Sequence, residues 1–370
     1  MKSIVIILIF CLTTLTARTQ PAATWPNFRG GQQLTGVSGT QLPDQPELLW
    51  SFNTGDMIQS APVEADGKIV AASTNGIIFC LDTNGKKLWE FKTDNSIEAP
   101  PLIFGNTVYV GNLDGILFAL NLETGEKKWE YACDNQISGS PNVWVDGSTM
   151  SILVGSYDFF LHCVDAKTGR LRWKYESDNF VNGAAACFDG KAIFGGCDGF
   201  LHIVDIKTGK LITKINVATY VASSVAVEGD KAYIGDYDGK LSQVDLATNR
   251  ITWQWHDDNT SLPFLASPTV KGDNVVIGNE NKKIYCFDKN TGKKIWEYNT
   301  GRKVDASVVI AGDKVLAANM RGDLFILNLS DGKADWTYEL GSGVTKNPAV
   351  FDGKFVAGAA DGFVYCFGSK

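Results

Sequence analysis

Short stretches of alternating apolar and polar residues follow one another along most of this chain. In a typical pair, Leu161–Val164 is followed by Leu171–Tyr175, and the stretches are separated by steps such as Asp114-Gly115 and Asp198-Gly199. A period of two indicates a β-strand. Asp-Gly, Asn-Gly and Thr-Gly steps are typical of tight turns, because these residues tolerate positive φ. The pattern therefore predicts short antiparallel strands joined by hairpins.

The strands recur in a fixed order, because one sequence motif, called the phrase below, repeats about every forty residues. Its clearest copy runs from Asp165 through Thr168-Gly169 to Trp173. The last position of the phrase is occupied in turn by Trp50, Trp89, Trp129, Trp173, Thr213, Trp253, Trp296 and Trp336. Four strands in each of eight such units predict an all-β fold, an eight-bladed β-propeller of four-stranded antiparallel blades.

The two ends of the chain predict how the ring closes. The last unit supplies three strands up to Phe367, and the sequence then stops without a Thr-Gly turn or a tryptophan strand. The missing strand is found near the N-terminus, where Leu48–Phe52 matches Lys87–Phe91 residue by residue. We therefore expect the N-terminal strand to complete the last blade, which removes the exposed strand edges of an open array.

The chain divides into three predicted segments: a signal peptide at 1–19, an arm at 20–44 and the propeller at 45–370. The apolar run Ile4–Leu12 suits export and is too short to span a bilayer. Cys11 follows this run, but the bulky Phe10 before it disfavours a lipid anchor. The sequence predicts an exported protein that is periplasmic, associated with the outer membrane or secreted.

Charge narrows the choice of partner. The formal net charge is −7 and the sequence contains no basic run, which argues against nucleic acid as a partner. No later segment is apolar enough for a transmembrane helix. We expect a monomer that binds an envelope or outer-membrane protein.

The cysteines and histidines give no recognisable metal site. Cys80, Cys163, Cys286 and Cys366 occupy one repeated third-strand position and are expected to be buried apolar residues. A disulfide among Cys133, Cys187 and Cys197 is left open. His162 and His202 stand where other units have aromatic residues, so they are interpreted as packing residues with a polar edge. No metal ligand is predicted.

The phrase Asp-x-x-Thr-Gly-x-x-x-Trp resembles the tryptophan-docking repeat of the pyrroloquinoline-quinone-type propellers. The resemblance covers residues 45–370 and implies that each repeat tryptophan lies between adjacent blades. Seven tryptophans are therefore expected to be structural: Trp50, Trp89, Trp129, Trp173, Trp253, Trp296 and Trp336. Thr213 departs from the pattern and predicts a looser joint.

Two branches of this superfamily imply different functions. One contains quinoprotein dehydrogenases, which hold pyrroloquinoline quinone and calcium in the central funnel. The other is non-catalytic and includes the propeller lipoprotein of the outer-membrane β-barrel assembly machinery, which has a similar size and blade count. The connections between units are short here, and the chain lacks the adjacent cysteine pair found in many of the enzymes. Both observations favour a scaffold without a cofactor over an enzyme.

A polysaccharide-binding propeller is a third alternative, although few aromatic residues stand in the connections, namely Phe180, Tyr220 and Phe264.

The funnel is expected to be lined by residues at the start of each innermost strand. Most of these residues are small, as packing at a ring axis requires. The polar candidates for a funnel site are Gln59, Glu98, Asn182, Asp305 and Lys346. Glu98, Asp305 and Lys346 are expected to approach one another, either as a polar ligand pocket or as an ion pair between blades.

An Asp-Asn step recurs in the connections before several innermost strands. Such residues commonly bond to the backbone in turns, and on one face of a ring they also form a polar docking surface. The candidates for partner docking are Asp94, Asn95, Asp134, Asn135, Asp178, Asn179, Asp258 and Asn259.

Overall fold

The computed structural model describes residues 24–217 and 219–370. The predicted signal peptide with Cys11, and the first residues of the predicted arm, lie outside the described residues. Across those residues the strands form eight sheets, one for each blade, and a single 3₁₀ turn at Phe28–Gly30 is the only helical element. The prediction of an all-β, eight-bladed propeller is confirmed.

Each blade is an antiparallel meander that runs outward from the ring axis. From the innermost to the outermost strand, blade 1 comprises Val63–Ala65, Lys68–Ala72, Ile77–Asp82 and Lys87–Lys92; blade 2 Leu102–Ile103, Thr107–Gly111, Ile116–Asn121 and Lys127–Ala132; blade 3 Asn142–Asp146, Thr149–Gly155, Phe160–Asp165 and Leu171–Glu176; and blade 4 Ala186–Phe188, Lys191–Gly195, Phe200–Asp205 and Leu211–Asn216. Blade 5 comprises Ala226–Glu228, Lys231–Gly235, Lys240–Asp245 and Arg250–His256; blade 6 Thr269–Lys271, Asn274–Asn279, Lys283–Asp288 and Lys294–Asn299; and blade 7 Val309–Ala311, Lys314–Ala318, Asp323–Asn328 and Ala334–Glu339.

Blade 8 is built from both ends of the chain. Its three inner strands are Ala349–Phe351, Lys354–Gly358 and Phe363–Gly368, and its outermost strand is Glu47–Asn53. The two terminal strands pair antiparallel, with Trp50 opposite Cys366. The expected closure by the N-terminal strand is therefore confirmed.

Burial follows the position of a strand in its blade. The third strand of blade 1, Ile77–Asp82, is buried at its four central residues, whereas the outer strand Lys87–Lys92 alternates between exposed and covered positions. Inner strands are covered by blades on both sides, so successive residues in them are apolar. Outer strands face solvent on one side and therefore keep the period of two.

The repeat tryptophans fasten each blade to the next. The Trp89 ring of blade 1 lies over Gly125 of blade 2, and its Nε1 donates to the Leu122 carbonyl at 2.8 Å. A Cβ at Gly125 would lie 2.8 Å from that ring, so the turn has room for the indole only because it carries glycine. The same donation to a backbone carbonyl of the next blade is made by Trp50, Trp129, Trp173, Trp253 and Trp296.

Two joints differ from this pattern, each for a local reason. Trp336 faces blade 8, which has no Thr-Gly turn, and packs edge-on against Phe355 and Phe367 instead. Thr213 replaces the tryptophan of blade 4, and the corresponding turn of blade 5 carries Asn249, with φ of 57°, where the other turns have glycine. The tryptophan and the glycine that accommodates it are thus absent from the same joint.

A strap formed by residues 25–38 crosses the inner strands of all eight blades in order. Its backbone and side chains bond successively to Glu64, Ile103, Asn142, Cys187, Val227, Val270, Ile310 and Val350, one residue from each of blades 1 to 8. Its last two residues, Val37–Ser38, add a short parallel strand to the innermost strand of blade 7. The strap therefore covers one side of the ring.

Arg29 anchors the strap. Its side chain is fully buried, and the guanidinium donates to the carbonyls of Val308 at 2.6 Å and Pro268 at 2.9 Å and to the Thr269 hydroxyl. Burial lowers the pKa of Arg29 to about 9, so the group remains charged at neutral pH. Its backbone is left-handed, with φ of 68°. One strap residue thus fixes the joint between blades 6 and 7.

Candidate functional site

A small cavity lies on the axis of the ring. It is lined by residues that lead into the innermost strands of blades 2 to 8, with blade 2 contributing only Pro100, and Phe28 of the strap contributes to one side. Its volume is about 60 Å³. A single buried water needs at least about 10–15 Å³, so the cavity is large enough to hold bound water.

Three of the five predicted funnel residues meet in this cavity, namely Asn182, Asp305 and Lys346. Oxygen atoms of Asn182, Asp305, Thr345 and Asn347 are buried there without a hydrogen-bond partner among the described residues. Burial and the Glu280 carboxylate raise the pKa of Asp305. These groups suit a few bound waters or a very small polar ligand.

The other two funnel candidates are not among the residues that line the cavity. Gln59 and Glu98 lie at the starts of blades 1 and 2 and are partly buried. Burial lowers the pKa of Lys346, whereas the carboxylates of Glu98 and Asp305 act in the opposite direction. In the described part of the chain, neither acid comes within 4.0 Å of the Lys346 ammonium as a salt bridge. The three charges therefore share a region without forming a direct ion pair.

The Asp-Asn steps lie on what we call the upper face, which carries the connections between blades and the turns between second and third strands. The two kinds of loop bond to each other: the Asn95 side chain donates to Asp114 at 2.7 Å, and Asn135 donates to the Tyr157 carbonyl at 3.4 Å. The Asn179 side chain likewise donates to the Cys197 carbonyl at 3.3 Å. These asparagines therefore hold the loops in place.

The neighbouring aspartates add negative charge to this face. Asp94, Asp134, Asp178 and Asp258 are all exposed. Asp178 pairs with Lys214 at 2.8 Å, and Asp258 lies 3.4 Å from His256. The upper face thus presents carboxylates above a loop framework that the asparagines maintain.

The upper face also carries two groups of aromatic side chains. Tyr157 and Phe159 pack on Phe180, with ring centroids 4.6 and 5.3 Å away, and Tyr220 contacts Tyr237 at 6.4 Å. Tyr220 and Tyr237 are 56% and 50% exposed. Only Phe180 and Tyr220 were predicted from the sequence, because the other members stand in turns that belong to a different strand pair.

Phe264, the third aromatic residue noted in the connections, is fully buried and packs against Trp255 and Tyr285. It therefore contributes nothing to the exposed aromatic surface. The two groups lie over blades 3 to 5, so the exposed aromatic surface occupies one sector of the upper face.

Phe159 is strained as well as exposed. It adopts φ of 77° and is 41% exposed. Six other blades place glycine at the equivalent turn position, where positive φ costs little: Gly76, Gly115, Gly199, Gly239, Gly322 and Gly362. A left-handed non-glycine residue costs on the order of 1–3 kcal/mol, and such strain is concentrated at functional sites. The ring of Phe159 is therefore a candidate binding group.

Two buried histidines lie just below this face. His162 contacts the Tyr131 hydroxyl at 2.9 Å through Nδ1 and Asp158 at 3.0 Å through Nε2. His202 of blade 4 repeats this arrangement with Tyr175 of blade 3 and Asp198 of blade 4. Although burial alone would raise the pKa of Asp158, the hydrogen bond and charge of His162 bring it below its ordinary value.

Every cysteine that the structure describes is a free thiol, including Cys133, Cys187 and Cys197. The disulfide left open by the sequence is therefore absent among these three residues. The third-strand cysteines Cys80, Cys163, Cys286 and Cys366 are fully buried, as expected for small apolar side chains. Along the described ranges, no helix is long and apolar enough to cross a membrane.

These features define a tryptophan-docked, eight-bladed β-propeller with a narrow channel and a loop-bearing upper face. The chain belongs to the family described as outer membrane protein assembly factor BamB, whose model matches residues 41–177 and 158–367. The predicted resemblance is thereby confirmed. A comparison with curated proteins found no match.

Solved structures share the fold at low sequence identity. BamB from Moraxella catarrhalis is 21% identical, with a TM-score of 0.74 over 88% of this chain and 98% of that chain. A quinohemoprotein alcohol dehydrogenase from Comamonas testosteroni is 13% identical, with a TM-score of 0.77 over 93% and 80%. The computationally designed protein Ika8 is 17% identical, with a TM-score of 0.76 over 90% and 100%. At these identities the likeness shows the fold alone.

Proposed function

We propose that this protein is an exported, non-catalytic scaffold that docks an outer-membrane or periplasmic protein on its upper face. Membership of the BamB family supports the class of function. The observation that carries the choice of surface is Phe159, an exposed aromatic residue held at positive φ where six other blades have glycine and blade 6 has Lys282. The proposal includes a monomeric propeller in the periplasm, held at the outer membrane through its partner.

The chemistry of the upper face suits a protein partner with apolar and basic groups. Aromatic side chains contribute large contact areas at low entropic cost and are enriched among the residues that dominate binding energy. Exposed carboxylates at Asp94 and Asp134 would attract a basic partner and set its orientation. The docking residues predicted from the sequence are thus retained, with the aspartates contacting the partner and the asparagines maintaining the loops.

The channel favours this scaffold over the quinoprotein alternative. Its cavity is about 60 Å³, whereas pockets for small organic ligands typically measure about 300–1,000 Å³. The three funnel residues that meet there are surrounded by small side chains such as Gly139 and Ala222. We therefore assign them a role in hydrating and packing the ring axis.

Photo-crosslinking in cells tests the proposal. A photoreactive residue at Phe159 or Tyr220 should capture a discrete envelope protein, whereas one at Val145 should not. Val145 is a matched control because it is 39% exposed and lies in the inner hairpin of blade 3, on the strap side. Equal capture from Val145 would contradict the proposal.

A substitution at the strained turn separates binding from folding. Phe159→Gly removes the ring and gives the turn the residue that six other blades carry, so thermal stability should be kept or raised. Affinity for the captured partner should fall about tenfold or more, as expected for an anchoring aromatic residue. A variant that binds as well as the parent protein would exclude Phe159 from the interface.

The exposed tyrosines also favour a second candidate function, the binding of an envelope polysaccharide. The same variants distinguish the two. Retention on polysaccharide that is lost in Tyr220→Ser, without capture of any protein, would support the polysaccharide-binding propeller in place of the protein scaffold.

A further inference from the structure

Beneath the aromatic sector, three side chains from two blades converge in a way that the docking function does not use. Cys133 follows the outer strand of blade 2, Asp158 stands in the turn between the second and third strands of blade 3, and His162 lies on that third strand. One ligand atom from each residue lies within 4.8 Å of the other two. The side chains of Asp158 and His162 are only 4% and 2% exposed, and Cys133 is 8% exposed.

We propose that Cys133, Asp158 and His162 form a binding site for a thiophilic divalent cation of the zinc type. Thiolate sulfur, imidazole nitrogen and carboxylate oxygen are the ligands that zinc uses in proteins, and a water would complete a tetrahedral set. Ligand atoms around a tetrahedral zinc lie about 3–4 Å apart, and these three lie within 4.8 Å of one another, so binding would draw them closer around a common centre.

The charges of the site balance. Binding displaces the thiol proton of Cys133 to solvent, so that one thiolate and the Asp158 carboxylate neutralise the two positive charges of the ion. His162 binds as a neutral imidazole. A buried site with no net charge avoids the large cost of an uncompensated buried ion.

Tyr131 accepts the hydrogen bond that a metal-binding histidine usually donates from its other ring nitrogen. Its hydroxyl lies 2.9 Å from Nδ1 of His162, on the side of the ring away from Asp158. When Nε2 binds the ion, the ring proton resides on Nδ1 and is donated to the Tyr131 oxygen. Such a bond fixes both the tautomer and the orientation of a ligating histidine.

The joint between blades 3 and 4 contains the same arrangement without the cysteine. Tyr175, His202 and Asp198 repeat the hydrogen-bonded set, with His202 Nε2 at 2.8 Å from Asp198. Ser177 stands at the position of Cys133 and donates its hydroxyl to the Asn179 carbonyl. The Tyr-His-Asp set therefore folds without a thiol, and Cys133 is the feature that makes the joint between blades 2 and 3 different.

Titration of the reduced, untagged mature protein with zinc and with cobalt tests the inference. We expect one equivalent to bind and cobalt to produce a near-ultraviolet charge-transfer band from thiolate. Cys133→Ser should abolish the band and weaken zinc binding by at least about 100-fold. This variant gives the joint between blades 2 and 3 the serine found in the joint between blades 3 and 4, so its melting temperature without metal should match that of the parent protein.

Two further variants make the outcome decisive. Cys197→Ser removes a partly exposed thiol outside the set and should leave binding unchanged. Ser177→Cys supplies the missing ligand in blade 4 and should raise the stoichiometry to two. A parent protein without the thiolate band, equal zinc affinity in Cys133→Ser, or no second equivalent in Ser177→Cys would each overturn the proposed ligand set.

Discussion

At the scale of single residues, the joints between blades depend on a pair rather than on the tryptophan alone. In the joint between blades 3 and 4, the Trp173 ring lies where a Cβ at Gly209 would be, 2.6 Å from the nearest ring atoms, and Nε1 bonds to the Ile206 carbonyl. Glycine therefore contributes room as well as positive φ. The joint between blades 4 and 5 lacks both partners, with Thr213 and Asn249 in their places.

This pairing predicts a strong coupling between two substitutions. Thr213→Trp alone should give little or no stabilisation, because the Cβ of Asn249 occupies the space that the indole needs. Together with Asn249→Gly, it should stabilise the protein by about 1–2 kcal/mol through burial of the ring. A double-mutant cycle by urea unfolding should therefore show a coupling of about 1 kcal/mol or more.

The native joint between blades 3 and 4 provides the control for that cycle. Gly209→Asn recreates the turn of blade 5 beneath a tryptophan and should destabilise the protein, whereas Asn249→Gly alone should have a small effect. Additive free energies in the cycle would show that the missing tryptophan and the missing glycine are unrelated.

At the scale of elements, the strap connects blades that are otherwise joined only to their neighbours. Its bonds are mostly to backbone groups of the innermost strands, and its one buried charge, Arg29, holds the carbonyls of Val308 and Pro268. Because this guanidinium forms a fork with several acceptors, a lysine cannot replace it. The strap should therefore detach when Arg29 is changed, even conservatively.

Arg29→Lys should lower the free energy of unfolding by at least about 3 kcal/mol, since buried hydrogen bonds to a charged group are each worth about 1.5–3 kcal/mol. The strap should also become a site of early proteolysis. Gly31→Ala is the matched control, because a Cβ there meets nothing within 4 Å, and it should stay within about 0.5 kcal/mol of the parent protein. Resistance of the Arg29 variant to protease would argue against this role.

The elements also show what the sequence could and could not predict. The turn steps and the spacing of the tryptophans from Trp50 to Trp336 were sufficient to predict the blades and the closing strand. Each copy of the repeat has the same local structure, so the copies support one another. The path of the strap was not predictable, since residues 25–38 have no repeat and bond mainly through their backbone. The aromatic sector and the Cys133 cluster were missed for another reason: their members come from different strands and meet only after the blades pack.

At the scale of the whole molecule, the cavity on the axis is a property of the ring, because residues from seven of the eight blades line it. The innermost strands of blades 3 to 7 contact one another in succession, and small residues such as Gly183 and Ala222 allow that close approach. The cavity is polar where Asn182, Asp305 and Lys346 line it, which favours bound water there. An enzyme of this fold would need a wider space with several oxygen ligands around a calcium ion.

Calorimetric titration with pyrroloquinoline quinone and calcium tests this view of the whole ring. We expect no saturable heat, because a tricyclic quinone is far larger than a cavity of about 60 Å³ that Phe28 helps to line from the strap side. Phe28→Ala serves as a comparison, since it enlarges the cavity from the strap side without changing Asp305 or Lys346.

Saturable one-to-one binding by the parent protein would mean that the channel opens, and it would restore the dehydrogenase alternative. Alcohol and sugar oxidation should then be assayed in Glu98→Gln and Asp305→Asn variants, because a carboxylate base would have to come from one of these two residues.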